Sequence, residues 1–431
     1  MQPAIQAGSL RAPYVSFEFA IYYLPIPSED PMQSMDEILA SDFSGLHRVE
    51  ELEKQPARPS VSARLLTDVA KSYAPPPADM LVRFGRGLSK EQAEAMQGSQ
   101  HALLLDFAHP SEKTDDSLRA ACQLASKLAR RTGGLLWDEE TREVFTPDAW
   151  DERRLKDWQS GVPDVARHTL IHTYKTGEYV RAITLGMVKF GLPDVMINES
   201  SWSENKQVGH IINLFGQAMA EGATVVRAGE FDLDLKSIAN ASVREPQMKS
   251  LLDHATARAL LTLREGVHEE GDPHNALIEI AFDRNAGHDA HARRETAIGT
   301  LFGWKDSIKN VQHDGELVAA SNRARAQLPA LRADFAKGLA PGELILLKAP
   351  FDTPGGGHEY MWIEVTAWSD ETIKGLLKNE PFNIPTLHSG EIVEIKQANA
   401  FDYIRRLPDG TQTGNETGVI LERMPGSERS R

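Results

Sequence analysis

The chain has 431 residues, 41% hydrophobic and 25% charged, and its 62 acidic against 47 basic side chains give a net charge of −15. This composition is typical of a globular protein with two or three domains, and the charge disfavours nucleic acid, because phosphates repel an acidic surface. No run of 18 apolar residues occurs, and the early stretch YVSFEFAIYYLPIP carries Glu18. We therefore expect neither a transmembrane helix nor a signal peptide.

The chain contains one cysteine, Cys122. A single thiol excludes an intrachain disulfide and a metal site built from several cysteines. Cys122 falls in an apolar stripe of helical spacing, which favours a buried and unreactive side chain. We therefore expect a protein of the reducing cytoplasm.

Residues 1–160 have the pattern of a mixed α+β unit. The stretch YVSFEFAIYYL predicts a strand. MLVRFGRGL and HALLLDFAH predict two more, separated by the helix SKEQAEAMQ, in which Ser89 and Gln92 form a capping-box pattern. A longer helix follows and should end at Gly133, because glycine tolerates the left-handed turn that closes a helix.

Residues 161–312 predict a second α+β unit. The stretch SENKQVGHIINLFGQAMAEG places its apolar residues on one helical face. Another helix is predicted from near Pro246, with apolar residues at helical spacing as far as Leu263. NALIEIAF predicts a further strand.

The last third of the chain changes character. Residues 313–340 predict a bridging helix that Pro329 should kink or divide. Residues 341–420 contain short apolar segments linked by Gly, Pro, Asn and Asp, which predicts a small antiparallel, barrel-like β domain, and residues 421–431 are expected to form a disordered tail. The predicted fold class is α+β and multi-domain: two mixed α/β units followed by the small β domain.

Three consecutive glycines, residues 355–357, raise the question of a phosphate-binding loop. Such a loop opens a helix and is followed by Gly-Lys-Ser or Gly-Lys-Thr. Here His358 and a strand pattern follow instead. We therefore predict that the glycines connect two strands.

The stretch GHDAHARRE places His288, His291 and Glu295 three and four residues apart. On a helix they would share a face, and imidazole and carboxylate groups suit a divalent metal. The spacing matches no zinc-protease pattern, however, and the neighbouring Arg293 and Arg294 would repel a cation. We expect the start of a solvated helix and no bound metal.

Other catalytic motifs are absent from the sequence. It contains no Gly-x-Ser-x-Gly segment, and its one cysteine is not in an electropositive, glycine-rich context. We therefore predict no catalytic residues, no cofactor and no metal site.

Several segments of the C-terminal quarter resemble one bacterial family. They are LKAPF, GGGHEYMWIEVT, IKGLLKNEPFNIPTLHSGEIVEIKQANAFDYI and GNETG. By these segments the region is similar to the YegJ-like domain of unknown function (the domain of unknown function 2314 family). The resemblance implies a fold but no catalytic residues, because that family has no agreed activity. In the middle region, RAITLGMVKFGLPDV more faintly resembles a segment that accompanies such domains.

The strand YMWIEVTAW that follows the glycines alternates between aliphatic and aromatic residues. The aliphatic face is the expected core, and Trp362 on the aromatic face is also expected to be buried. Tyr360, Trp362 and Trp368 are expected to share that face, which either packs against the preceding helix or forms a binding surface, since Tyr and Trp are enriched at binding hot spots. In the second case the ends of the strand are the predicted interaction surface. Its residues are His358, Glu359, Tyr360 and Trp368.

These patterns together favour a non-catalytic, cytoplasmic bacterial interaction or regulatory protein. We expect a protein partner, as in immunity-type binding, and neither a nucleic-acid nor a membrane partner; the sequence leaves the oligomeric state open. The alternative is a metal-dependent or hydrolase-like enzyme without a recognisable motif. Its centre would be either His288, His291 and Glu295, or His358 and Glu359.

Overall fold

The structure is a computed structural model that describes residues 2–24, 26–156, 158, 161–303, 308–309, 315–423 and 428–429. Its fold class is α+β, as the sequence predicts, with helices packed on three sheets of six or seven strands. The domain boundaries at residues 160, 312 and 340 stay predictions.

The first sheet belongs to the N-terminal part of the chain. Its strands are β1 (Tyr14–Tyr23), β2 (His47–Arg48), β3 (Ser60–Leu66), β4 (Gly85–Arg86), β5 (Ala102–Pro110), β6 (Gly134–Asp138) and β7 (Glu143–Phe145), in the order β2-β3-β5-β1-β6-β7-β4. The helices are α1 (Pro31–Asp42), α2 (Val69–Ser72), α3 (Ala78–Phe84), α4 (Lys90–Met96), α5 (Thr114–Thr132) and α6 (Pro147–Trp150), followed by a π-helical turn (Asp151–Leu155). Strand β1 is central and is covered on both faces, which explains its nearly continuous apolar sequence.

Two local signals in this part are confirmed and one is wrong. The Ser89 side chain accepts from Gln92 N and the Gln92 side chain from Ser89 N, so the capping box forms at α4. Helix α5 ends at Gly133, whose φ of +77° is the left-handed turn expected there. The predicted strand MLVRFGRGL is mostly helix α3. Of the residues in α3 only Leu81 is fully buried, whereas the neighbouring Val82 is 84% exposed.

The second sheet has six strands. They are β8 (Leu170–Thr176), β9 (Tyr179–Leu185), β10 (Asp194–Ser200), β11 (Glu230–Asp234), β12 (Arg258–Glu265) and β13 (Leu277–Ala281), in the order β11-β12-β13-β10-β9-β8. Only β10 and β13 pair in parallel in this sheet. The helices of this part are α7 (Asn205–Ala220), α8 (Ala241–Lys249) and α9 (Ala290–Phe302), and the two-residue strand β14 (Ile308–Lys309) follows α9 in the chain.

The long helix predicted from near Pro246 to Leu263 is wrong. Helix α8 ends at Lys249, and residues up to Leu263 instead enter strand β12. In β12, Ala259, Leu261 and Leu263 are buried and alternate with less buried residues. This alternation with a period of two is that of a strand, and the helical spacing of the same residues was coincidental.

One hydrophobic cluster joins the first two parts of the chain. It runs from Val15 in β1 through helices α5 and α7 to Phe302 at the end of α9. The sheets of both parts thus contribute to a common core. Cys122 in α5 lies within it and is fully buried, and this burial raises the pKa of its thiol to about 12.

The third sheet follows the bridging helix α10 (Gly315–Ala336), which runs through Pro329 as one helix. Its strands are β15 (Leu344–Asp352), β16 (His358–Ser369), β17 (Thr372–Leu377), β18 (Ile392–Lys396), β19 (Asp402–Arg406) and β20 (Gln412–Gly414), in the order β18-β17-β16-β15-β19-β20. All of its pairings are antiparallel, as predicted, but the sheet is open, because β18 and β20 do not pair with each other.

The C-terminal end continues from this sheet. Helix α11 (Glu416–Arg423) includes the first residues of the predicted disordered tail, and residues 428–429 pair with residues 308–309. The rest of that tail lies outside the described residues. In the part of the chain that the structure describes, no helix is both long and apolar enough to cross a lipid bilayer.

Candidate functional site

The triple glycine connects two strands, as predicted. Residues 353–357 link β15 to β16 in a hairpin, in which Thr353 N donates to Gly357 O at 3.1 Å and Gly356 N to Thr353 O at 3.0 Å. The next element is a strand, so this loop has no helix terminus with which to hold a phosphate.

A β-bulge between Val365 and Ala367 changes the faces of β16. Beyond it, Trp368 pairs with the buried Ile373 and so lies on the core face, partly buried near Phe335 of α10, with Nε1 donating to Gln397 at 3.0 Å. The expectation that Trp368 shares a face with Trp362 is therefore wrong, because strict alternation fails at a bulge.

On the other face, Trp362 is partly buried rather than fully buried. The Lys348 ammonium lies 5.6 Å from the centre of its ring. Burial lowers the pKa of Lys348, and the aromatic face offsets part of the cost of burying this cation.

The remaining residues of the predicted interaction surface have different environments. His358 is exposed, with Nδ1 2.9 Å from a carboxylate oxygen of Asp352. Tyr360 is partly buried, and its ring centroid lies 4.7 Å from that of Phe401. The Glu359 carboxylate accepts from Phe382 N at 2.8 Å and from Asn383 N at 2.9 Å. That these residues bind a partner stays a prediction.

Glu359 thereby holds the segment between β17 and β18, which we call the 378–391 loop. In this loop Asn379 accepts from Trp362 N at 2.7 Å, and Glu380 accepts from Ser389 N at 2.9 Å. Gly390 N donates to Leu377 O at 2.7 Å. The loop is thus fixed by hydrogen bonds to backbone groups.

The third sheet also contacts the second part of the chain through charged groups. Glu364, only 2% exposed, accepts from Trp202 N at 2.8 Å and from Ser203 N at 3.0 Å. Lys378 at the start of the loop donates to Ser201 Oγ at 2.8 Å. These bonds dock the sheet on the short 3₁₀ turn that precedes α7.

Glu204 is the centre of this contact. Its carboxylate lies 3.0 Å from Arg294 Nη2 and 3.4 Å from Lys378 Nζ. Burial would raise the pKa of Glu204, but the two cations outweigh it and lower the pKa to about 2. We call Glu204, Arg294, Lys378 and Glu364 the docking cluster.

Beside the docking cluster, two histidines and a carboxylate converge. His388 Nδ1 lies 3.0 Å from Glu380 Oε1, and the rings of His288 and His388 have centroids 3.5 Å apart. The ligand atoms of the three side chains lie within 4.8 Å of one another. Within the part of the chain that the structure describes, these three side chains form a group that is close enough to share one metal ion.

The structure brings His288 together with partners other than those in its sequence pattern. Helix α9 begins at Ala290, so His288 lies in the preceding loop and the helical spacing does not apply to it. His291 stacks on Tyr179 at 4.9 Å and lies 3.0 Å from Arg294 Nη2, while Glu295 is exposed. The sequence offers no signal for Glu380 and His388, because they follow His288 by about a hundred residues.

The comparison with known families concerns the C-terminal region. Residues 293–431 match the family described as uncharacterized protein conserved in bacteria (DUF2314). This is the family that the C-terminal segments resemble, and the match covers about a third of the chain. No curated protein and no solved structure matches the chain significantly.

The DUF2314 region starts within α9 and contains α10 and the third sheet. Glu380 and His388 therefore belong to it, whereas His288 and Glu204 precede it. The docking cluster and the two histidines lie where the DUF2314 region meets the rest of the chain. The resemblance of the middle region stays a prediction.

Proposed function

We propose that the chain is a non-catalytic bacterial interaction protein of the cytoplasm that binds another protein, as immunity proteins do. The observation that carries this proposal is how the DUF2314 region uses its carboxylates. Glu359, Glu364 and Glu380 each accept hydrogen bonds from backbone N–H groups of loops. A general acid or base must instead reach a proton of the substrate. We therefore assign these glutamates the role of holding backbone segments in place.

The charge of the chain indicates the kind of partner. With a net charge of −15, the protein attracts a basic partner and repels acidic ones. Association driven by such a field weakens as salt rises, because ions screen exposed charges. His358 and Tyr360, at the start of β16, are the contact residues that we assign, since Trp368 packs inward and Glu359 holds the 378–391 loop.

The proposal is tested with the immobilised full-length chain in bacterial extract at low and high salt. We expect one stoichiometric partner of basic isoelectric point that salt releases and that the H358A/Y360A double variant does not retain. Tyr14→Ala serves as the matched control, because Tyr14 is a partly exposed tyrosine on the first sheet. Equal retention by all three proteins, or retention of acidic partners alone, contradicts the proposal.

The alternative is a metal-dependent or hydrolase-like enzyme. One observation favours it: His288, Glu380 and His388 have the composition of a catalytic metal site with two histidines and a glutamate. Metal-dependent turnover of an ester, phosphoester or peptide substrate, lost in E380Q, would decide for the enzyme and against the interaction protein.

A further inference from the structure

Two loops from distant parts of the chain meet at His288, Glu380 and His388. His288 comes from the loop before α9, and the other two come from the 378–391 loop. The contact between the two loops requires glycine at residue 390, because a side chain at Gly390 would come within 2.5 Å of the His291 side chain. Gly287 instead lets its loop turn tightly into α9, since a side chain there would come within 2.5 Å of Arg293 N.

The donor set suits a transition metal. Imidazole nitrogens and a carboxylate oxygen bind zinc at about 2.0–2.2 Å, so the ligand atoms of one tetrahedral ion lie about 3.3 Å apart. His388 Nδ1 and Glu380 Oε1 are already 3.0 Å apart. All ligand atoms lie within 4.8 Å of one another, so each pair is at most about 1.5 Å wider than in a tetrahedral site, and side-chain rotations close that difference. Imidazole also selects against magnesium and calcium, which prefer oxygen ligands alone.

Groups around the three ligands hold them in orientation. The second oxygen of Glu380 accepts from Ser389 N at 2.9 Å. Asp289 Oδ2 lies 3.3 Å from His288 Nε2, and Asp289 Oδ1 accepts from Ala292 N at 2.8 Å as the cap of α9. A carboxylate on one nitrogen of a histidine leaves the other nitrogen for the metal, an arrangement typical of zinc sites. With Asp289 on Nε2, the nitrogen that His288 would offer an ion is Nδ1.

We propose that His288, Glu380 and His388 bind one divalent transition-metal ion of the zinc class. The ion joins the loop before α9 to the DUF2314 region next to the docking cluster. Three protein ligands leave a fourth position for water or for a group of a partner. This inference goes beyond the proposed function, since it holds for an interaction protein and for an enzyme.

The test is calorimetric titration of zinc into the untagged full-length chain, stripped of metal with a chelator. We expect one zinc per chain. H288A, E380Q and H388A should each weaken binding by more than about 100-fold, because loss even of a residue that orients a ligand costs about 10- to 100-fold. D289N should weaken zinc binding by about 10- to 100-fold, because Asp289 only orients a ligand. It should keep the helix cap, since Asn also caps helices.

The matched control is H268A. His268 is an exposed histidine with Nε2 2.9 Å from Asn275 O, and it lies outside the cluster, so its removal should leave the zinc affinity unchanged. Equal zinc affinity in parent and H288A would overturn the proposal, since the second part of the chain would then contribute no ligand. Absence of zinc binding in the folded parent would overturn it as well.

A second measurement separates a built site from surface binding. Cobalt(II) in a four-coordinate site absorbs visible light strongly, whereas hydrated cobalt(II) does not. We expect this absorption in the parent and in H268A but not in H288A or H388A, with each variant checked for native circular dichroism. Retention of a partner by the metal-free chain tests the proposed function separately, so either idea can fail alone.

Discussion

The chain has two junctions between its parts, and they are built differently. Between the first and second parts, Asp138 lies at 2.8 Å from Arg154 Nη2 and also pairs with Lys189, and all three side chains are fully buried. The hydrophobic cluster that surrounds them is shared by both parts. In the docking cluster, between the second part and the DUF2314 region, Glu204 and Lys378 remain 20% and 14% exposed.

The apolar residues behind the second junction are also divided. The third sheet packs with Leu328 and Leu331 of α10 in a cluster of its own, separate from the one that runs from Val15 to Phe302. The first junction is therefore the interior of one core, whereas the second is a polar contact between two cores. We infer that the first two parts unfold together and that the third sheet can detach without them.

The largest expected effect is at the buried junction. Asp138→Asn removes the charge that compensates Arg154 and Lys189, and breaking a buried ionic group in this way costs about 3–5 kcal/mol of unfolding free energy. Urea denaturation should show the loss in the transition of the first two parts. Asp148→Asn is the control, because its pair with Arg130 is 89% and 45% exposed and is worth less than about 1 kcal/mol. Similar losses in both variants would contradict the comparison.

A smaller effect, with a defined dependence on pH, is expected at the docking cluster. The pKa of Glu204 falls from 4.5 to about 2 on folding, so its contribution is complete above pH 4.5 and disappears as pH falls towards 2. Glu204→Gln should lower the unfolding free energy by about 3 kcal/mol at pH 7, where Glu204 is charged. It should lower it little near pH 2, where the stabilisation by Glu204 is already lost.

Hydrogen exchange locates the effect of this substitution. The amides of Trp202 and Ser203, which donate to Glu364, should exchange faster in Glu204→Gln, while those of β1 stay protected. Glu94→Gln, in an exposed pair with Lys90, is the control. Uniform loss of protection over both parts would mean that the second junction is as integral as the first.

Trp368→Ala tests the core of the third sheet. Because Trp368 is only partly buried, near Phe335, we expect this substitution to lower the unfolding free energy by about 2 kcal/mol. Truncation of a fully buried tryptophan costs more, about 3–5 kcal/mol. The transition of the first two parts should not move. Trp368→Phe should recover part of the loss, since it keeps an aromatic ring near Phe335 but lacks the second ring and the hydrogen bond to Gln397. Unchanged stability with loss of a partner would instead make Trp368 a contact residue.

The smallest effect concerns an exposed contact of the second junction. Lys175 Nζ donates to Thr366 O at 3.0 Å. Lys175→Ala should change the unfolding free energy by less than about 1 kcal/mol, because an exposed side chain gains little over its bond to water. Thermal unfolding is sufficient to check this, and a loss as large as that of Glu204→Gln would show that the docking energy is not concentrated in the docking cluster.

Besides the fold class and the antiparallel pairing of the third sheet, the features that the sequence predicted correctly are local ones. The Ser89–Gln92 capping box and the stop of α5 at Gly133 depend on residues a few positions apart. The errors arise where local spacing is ambiguous or interrupted: Leu263 fits a helical and a strand pattern, and the bulge before Trp368 exchanges the faces of β16. The alternation of residues within one strand cannot reveal a bulge, because a bulge is an extra residue relative to the pairing with the neighbouring strand.

The candidate metal site was beyond prediction for another reason. The sequence pattern groups His288 only with its neighbours in sequence, His291 and Glu295. Its partners in space depend on how the third sheet docks, through Glu364 and the residues of the 3₁₀ turn. No periodicity in a single sequence encodes that packing.

The open third sheet has a consequence for self-association. A closed barrel has no outer strands, whereas an open sheet has two, whose unpaired backbone groups can add strands of another molecule. The outer strand β18 presents Glu394 and Lys396 to solvent, and Glu394 lies 2.9 Å from Lys374. At the other margin, β20 is only three residues long. Charges on one margin and brevity on the other oppose edge-to-edge aggregation, so the sheet stays open without becoming a template for fibres.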